Sequence, residues 1–420
     1  MTPRTPPPRA ARPDPTREGA FDLLSAVLVR HRSLEDALDT LPPGELRDRA
    51  AAHRLAAAVL RRTGSLDQVI KPHLRRDPPD PVRQILRMGA AQLLLLDTPA
   101  HAAVATAVAL ARSRGLTPFT GLVNAVLRRV AESGAEALAA LEGPRLDTPH
   151  WLWSSWGNDA ALIAAGQTTE APLDLTVIGE PPPGGVVLPT GSVRYPAGTR
   201  VTELAGYEEG RFWVQDAAAA LPARLLAAKP GESVADLCAA PGGKAAQLAA
   251  TGATVTAIER DGRRIGRLND NLARLRLPAT VVQADATTWR PPALLDAVLL
   301  DAPCSATGTI RRHPDVVHLK SQQDVTTAVA QQQALIIAAA AMLRPGGRLI
   351  YAVCSMQPEE GPGAVPVAMN AGLRHERFTA DELSTLPAAL TKAGYLRTHP
   401  GLWPEYGGMD GFFAARFVKI

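Results

Sequence analysis

The stretch Val234-Ala-Asp-Leu-Cys-Ala-Ala-Pro-Gly-Gly-Lys244 leaves this chain few choices of fold. Val234 to Leu237 reads as the end of a buried strand, and Ala245 to Thr251 opens a helix. The turn between them holds a proline and two glycines. Gly242 and Gly243 can adopt positive φ and let a ligand come close to the backbone. The following helix aims its free N–H groups and its positive dipole end at that turn. In an open α/β sheet this is where a nucleotide-like cofactor sits. The stretch lacks the Gly-x-x-x-x-Gly-Lys-Ser/Thr of a phosphate loop and the spaced G-x-G-x-x-G of a dinucleotide binder. A plain tight turn would account for the glycines alone.

The residues downstream go beyond a tight turn. From about Phe212, short β-rich runs alternate with helical patterns: Val255–Glu259, Thr280–Gln283, Ala297–Asp301 and Arg348–Cys354, with helices such as Arg263–Arg274 and Val325–Leu343 between them. Such alternation predicts a mostly parallel sheet, and Gly411–Val418 closes the chain as a further strand. Ligands bind at the carboxyl ends of such strands. Four acids fall there: Asp236, Glu259, Asp285 and Asp301. Singly, each reads as a solvated turn carboxylate. Together, behind a glycine turn, they suit a cofactor with ribose and adenine, and S-adenosyl-L-methionine fits better than NAD. Glu259 stands where an acid binds ribose hydroxyls, and Asp285 could accept from the adenine amino group.

Two more strand ends carry cysteine, in Asp301-Ala-Pro-Cys-Ser-Ala-Thr-Gly308 and Tyr351-Ala-Val-Cys-Ser-Met-Gln-Pro-Glu-Glu360. A lone cysteine is usually a small buried apolar residue. A pair at strand ends beside a cofactor turn suits nucleophilic chemistry. The chain has only three cysteines, Cys238, Cys304 and Cys354, which points to a reducing, cytoplasmic setting rather than a disulfide framework. No cysteine or histidine pair offers a metal site. The longest apolar candidate, Ala334–Leu343, falls short of the roughly 18 residues of a membrane span, so no membrane partner is expected.

Upstream, about Thr16 to Gly134 is helical throughout, with apolar residues at i, i+3 and i+4 in Phe21–Val29, Arg54–Leu60, Val82–Leu95 and Val104–Arg112. Met1–Pro15 is rich in proline and arginine without an apolar core, and reads as a disordered tail. Residues 1–150 carry 21 Lys+Arg against 16 Asp+Glu, whereas 151–420 carry 24 against 25. The basic excess, with pairs at Arg61–Arg62, Arg75–Arg76 and Arg128–Arg129, suits a phosphate backbone as well as a plain solvated surface. Residues 145–215 read as a small linker domain with strand Leu173–Ile178 and a tryptophan cluster at Trp151, Trp153 and Trp156 that suits core packing.

Two resemblances follow from these residues. Ile85–His101 with Gly121–Arg129 resembles the NusB-type RNA-binding domain over most of 16–135. The glycine turn, both cysteine motifs, Thr309-Ile-Arg-Arg-His-Pro-Asp315 and Asp410-Gly-Phe-Phe413 resemble the RNA cytosine-5 methyltransferase family of RsmB/Sun type over about 145–420. The resemblance implies a NusB-like all-α bundle at 16–140, a linker domain at 145–215 and a class I, Rossmann-like α/β methyltransferase domain at 216–420. It implies methylation of C5 of a cytidine in small-subunit ribosomal RNA by a monomeric enzyme. By the family pattern Cys238, Ala239, Ala240, Pro241, Gly242, Gly243 and Lys244 surround the methionine moiety, and Glu259, Asp285 and Asp301 hold the rest of the cofactor. Cys354 would be the nucleophile, Cys304 would assist release, and Asp301 would also steady the base.

Departures are Ala245 where threonine is usual, His318 for tryptophan, Gly361 for asparagine, and a compressed 181–200 region. None falls on the cysteines; they bear on which site is modified. The reverse cysteine assignment stays open, because Cys304 follows a proline as the nucleophile of DNA cytosine methyltransferases does. A transfer RNA substrate, or a non-catalytic RNA-binding assembly factor, are the rival functions.

Overall fold

A computed structural model describes residues 14–42 and 45–420. The expected N-terminal tail therefore lies outside the described residues up to 13, while Asp14 caps the first helix by accepting from the Arg17 amide. The chain forms two compact units. One contains the described residues up to Pro149 together with His313–Leu319; the other contains His150–Arg312 and Lys320–Ile420.

The first unit is all helical, as its periodicity predicts. Its main helices are Pro15–Leu28, Leu46–Arg61, Asp80–Leu94, Ala100–Ser113 and Thr120–Ala139. Proline sits in the first turn of two of them, where its missing N–H costs no hydrogen bond. Leu23, Leu24, Ile85, Leu86 and Leu127 are fully buried at the centre. Within this unit Asp315 accepts the Leu34 amide at 2.9 Å, and His318 Nε2 donates to the Leu60 carbonyl at 2.9 Å. Arg62 is a structural residue, paired with Asp147 at 2.8 Å, so that arginine pair is not a free basic patch. Arg75, Arg76, Arg128 and Arg129 are exposed.

The second unit holds two sheets. The smaller contains β1 (Leu173–Val177), β2 (Val186–Val187), β3 (Val193–Tyr195) and β4 (Phe212–Val214), in the antiparallel order β2-β3-β1-β4. It does not stand apart from the catalytic fold. Arg194 on β3 makes a two-pronged pair with Asp174 at 2.6 Å and donates to the carbonyls of Tyr406 and Gly408 at 2.7 Å. With both charged groups buried, removing either partner would cost about 3–5 kcal/mol. Trp156 is buried and Trp151 and Trp153 half-buried, in keeping with packing.

The larger sheet has eight strands: β5 (Ser233–Leu237), β6 (Thr254–Glu259), β7 (Thr280–Gln283), β8 (Leu295–Asp301), β9 (Leu343–Val353), β10 (Leu373–Glu376), β11 (Leu396–Arg397) and β12 (Phe413–Lys419). The order is β10-β12-β9-β8-β5-β6-β7, with β11 beside β12. Strands β5 to β9 run parallel, and β10 to β12 are added antiparallel. The order reverses between β5 and β8, which opens a crevice at their carboxyl ends. The helix Gln322–Met342, at 21 residues, is longer than the apolar run expected and passes a length and composition test for a membrane span. Its buried residues Leu335, Ile336, Ala339 and Met342 pack in the core with β8 and β9 residues such as Val298 and Leu349, the setting of a core helix.

Candidate active site

The cofactor turn follows β5. Cys238 at φ 62° and Gly242 at φ 104° turn the chain sharply, and Gly242 caps the helix Gly243–Ala250. A Cβ on Gly242 would lie 2.7 Å from Leu268 Cδ1, so both conformation and space demand glycine there. Gly243 is less constrained; a Cβ would meet Trp213 and Gln215 at 3.4 Å. Those two residues form the wall beside the turn. Trp213 Nε1 donates to Gln215 at 2.9 Å, and Gln215 Nε2 donates to Gln247 at 2.8 Å. They were not singled out from sequence, where β4 reads only as the start of the new pattern.

Asp236, Glu259 and Asp301 lie close enough to the turn to act on one another, and Asp285 stands at the end of β7. Burial pushes the Asp236 carboxyl up to about 8, against the pull of Lys244 and with Asp301 and Glu259 adding to the rise. Both its oxygens are buried without a well-formed hydrogen bond. Glu259, also buried, accepts the amides of Arg260 and Asp261 at 2.9 and 3.0 Å and faces Arg264 at 3.3 Å. Asp285 is exposed at the end of β7, where bonds from Thr287 hold its carboxyl below the usual range. The residues fit the methionine, ribose and adenine of S-adenosylmethionine. An orphaned buried carboxyl at the turn suits the ligand's cationic end, and acids on the next two strands suit its hydroxyl and amino donors.

Cys238 also lies in this turn. Burial, then Glu259, Asp301 and Asp236, push its thiol up to about 12.

The cysteine pair is built by β8 and β9. These lie side by side in parallel with Asp301 opposite Ala352. The chain therefore leaves both strands at one edge, and Cys304 Sγ lies 3.4 Å from Cys354 Sγ. Both are partly exposed. The nearby Cys354 sulfur, burial and Glu360 push the Cys304 thiol well above its ordinary value. Lys244 Nζ donates to Asp301 Oδ2 at 2.7 Å and lies 5.2 Å from the Phe412 ring centre. Burial opposes the Lys244 charge, but Asp301, Asp236 and Cys354 outweigh it and raise its pKa. Ala239, Ala240 and Pro241 line the turn, with a cis Ala240–Pro241 peptide.

Two supports behind the cysteines were not legible in sequence. Gly308 donates to the Cys354 carbonyl at 3.0 Å and accepts from Gly411 at 2.8 Å; a Cβ on Gly308 would sit on the Gly411 carbonyl. Arg311, fully buried, pairs with Asp216 and with Asp410 at 2.9 Å, and Arg312 reaches Asp410 at 2.7 Å. Arg311 and Arg312 of one matched segment and Asp410 of the other therefore share one ionic cluster. Among the described residues no group of three or more His, Cys, Asp or Glu could hold a metal ion.

A family described as 16S rRNA methyltransferase RsmB/F matches residues 223–418, and the NusB family matches 14–132. A ribosomal RNA small subunit methyltransferase B from Xanthomonas campestris pv. campestris is 34% identical over 435 residues, covering 96% of this chain and 97% of its own. Its namesake from Cronobacter sakazakii is also 34% identical, covering 96% and 98%. The crystal structure of PH0851 superposes with a TM-score of 0.74 at 22% identity, over 96% of this chain and 99% of that one, a likeness of fold.

Proposed function

The chain belongs to the 16S rRNA methyltransferase RsmB/F family and is an S-adenosylmethionine-dependent methyltransferase of ribosomal RNA; from that premise we propose that it methylates C5 of a cytidine through a covalent cysteine adduct. The observation that carries the proposal is the 3.4 Å approach of Cys304 and Cys354 beside the Asp301–Lys244 pair.

C5 of cytosine is a poor nucleophile. Addition of the Cys354 thiolate at C6 pushes an electron pair onto the ring and makes C5 nucleophilic. Bound S-adenosylmethionine supplies the electrophilic methyl group. Asp301 faces the polar edge of the base, and Lys244 holds that carboxylate in place through its 2.7 Å contact. After methyl transfer the C5 proton must leave and the C6–sulfur bond must break. Cys304, its thiol pKa raised, can give its proton to the departing Cys354 sulfur as the C6–sulfur bond breaks, and the Cys304 thiolate so formed takes the C5 proton, which returns both cysteines to thiols. The target base has to leave its stack or loop to reach both sulfurs.

The helical unit supplies the exposed Arg75, Arg76, Arg128 and Arg129 to the RNA backbone. Three unpaired cysteines accord with a cytoplasmic, reducing setting, and the reading is of a monomer with no membrane partner. The test is bisulfite mapping of 16S rRNA from cells with and without the gene, with methyl incorporation into naked rRNA, assembled subunits and transfer RNA. Loss of one 5-methylcytidine in 16S rRNA is expected. Incorporation confined to transfer RNA would reject the substrate, and none anywhere would reject the activity.

A further inference from the structure

Glu360 is fully buried, and among the described residues no cation pairs with it. Its Oε1 accepts the Ser305 amide at 2.8 Å and Gln332 Nε2 at 3.0 Å; its Oε2 accepts the hydroxyls of Ser305 and Ser355. The Tyr351 hydroxyl donates to its backbone carbonyl at 2.6 Å. Ser305 follows Cys304 and Ser355 follows Cys354, so one carboxylate is bonded to both cysteine turns. Arg397 braces the second turn from its other side, donating to the carbonyls of Ser355 and Met356.

A buried carboxylate satisfied only by neutral donors is costly. A clamp alone would not need the charge. A glutamine could accept the Ser305 and Gln332 N–H groups through its oxygen and donate to both hydroxyls through its nitrogen. The charge therefore asks for an explanation of its own. The groups bearing on the two sulfurs are Lys244 and Arg312 on Cys354, and Tyr351 and Glu360 on Cys304. Two of the bonds to Glu360 come from Ser305, beside Cys304, and one comes from Ser355, beside Cys354.

We propose that Glu360 is a positioning residue of the cysteine pair: through Ser305 and Ser355 it fixes the distance between the sulfurs, and its charge disfavours a second anion at the Cys304 turn. This rests on the two-cysteine reading, so the test of the charge uses no RNA. Alkylation of Cys304 by iodoacetamide is followed by peptide mass spectrometry across pH in a Cys354→Ala protein, which removes the partner sulfur. Adding Glu360→Gln should move the Cys304 profile toward lower pH by about one unit, a roughly tenfold faster reaction on its rising limb. Adding Ser355→Ala instead, which keeps the charge and removes one tether, should leave the profile in place. In the protein with both cysteines, Ser355→Ala should slow single-turnover methyl transfer about tenfold at unchanged cofactor affinity. An unmoved profile in Glu360→Gln overturns the charge role. A profile moved equally by Ser355→Ala makes it a packing effect, and full transfer by Ser355→Ala rejects the tether. Should Glu360→Gln not fold, the methyl-transfer rate of Ser355→Ala still decides the tether. Failure of the adduct mechanism would show instead in the RNA trapping described below, with these thiol profiles unaffected.

Discussion

The cofactor turn and the cysteine pair share one crevice but are made differently. The turn is contiguous: β5, Cys238 to Gly242 and the following helix form it from neighbours in sequence. The pair is assembled from residues 50 positions apart, and exists because β8 and β9 are parallel neighbours. A contiguous site tolerates change elsewhere as long as its own backbone conformation holds. An assembled site depends on every contact that fixes strand order and turn shape, which is why its supports, Glu360, Arg311 and Gly308, lie deep in the core.

The largest effect should come from the pair. Cys354→Ala is expected to lower methyl transfer by at least about 10³-fold and to form no covalent complex with RNA. Cys304→Ala should still attack and methylate but release product poorly, accumulating a protein–RNA species that survives denaturing electrophoresis. A complex trapped by Cys354→Ala and not by Cys304→Ala would reverse the roles; none in either would remove support for the adduct.

Next comes the turn. Gly242→Val forces a β-branched residue to φ 104° against Leu268, and should cost about 1–3 kcal/mol of stability with at least tenfold weaker S-adenosylmethionine binding by calorimetry. Gly243→Ala meets only ordinary contacts and should bind within about threefold of the parent. Equal affinities for parent and Gly242→Val would mean the turn does not approach the cofactor.

A smaller effect tests the helical unit. Arg128→Ala with Arg129→Ala should weaken RNA binding and reduce the slope of log affinity against log salt by about one to two, leaving cofactor affinity unchanged. An unchanged slope would show that this face does not touch phosphates.

The smallest concerns His318. Burial holds its imidazole below the ordinary value, against the Leu60 hydrogen bond. A folded pKa below the unfolded value of about 6.5 means the unfolded chain takes up the proton first as pH falls. Its contribution is therefore present above about pH 6.5 and lost on acidification. His318→Phe should reduce the fall in melting temperature between pH 7.5 and 5.5 by about 1–3 °C. An unchanged fall would show that another group sets the acid sensitivity.

By itself the sequence determined the features that depend on neighbours along the chain. Apolar spacing marked the helices of the first unit, and strand–helix alternation marked β5 to β8 to within two residues, whereas β9 starts at Leu343, five residues before the expected Arg348. The glycine turn and the strand-end acids followed from the period and from backbone freedom, which are local properties. The same holds for the arginine pairs as charges, but not for their use: only the fold shows Arg62 spent on Asp147 and Arg128 left exposed. The short strands β2, β3, β10 and β11 carry too few residues for a period, and their pairing comes from partners far away in the chain. Residues 150–215 joined the catalytic unit through Arg194, whose carbonyl partners at Tyr406 and Gly408 lie over two hundred positions distant. Glu359 and Glu360 are chemically identical neighbours in the sequence; Glu359 is exposed and Glu360 is buried. Sequence gives each residue its chemistry and its nearest neighbours. Strand order alone decided which carboxylate would be sealed behind two cysteines, because burial and hydrogen-bond partners belong to the packed core and not to any stretch of chain.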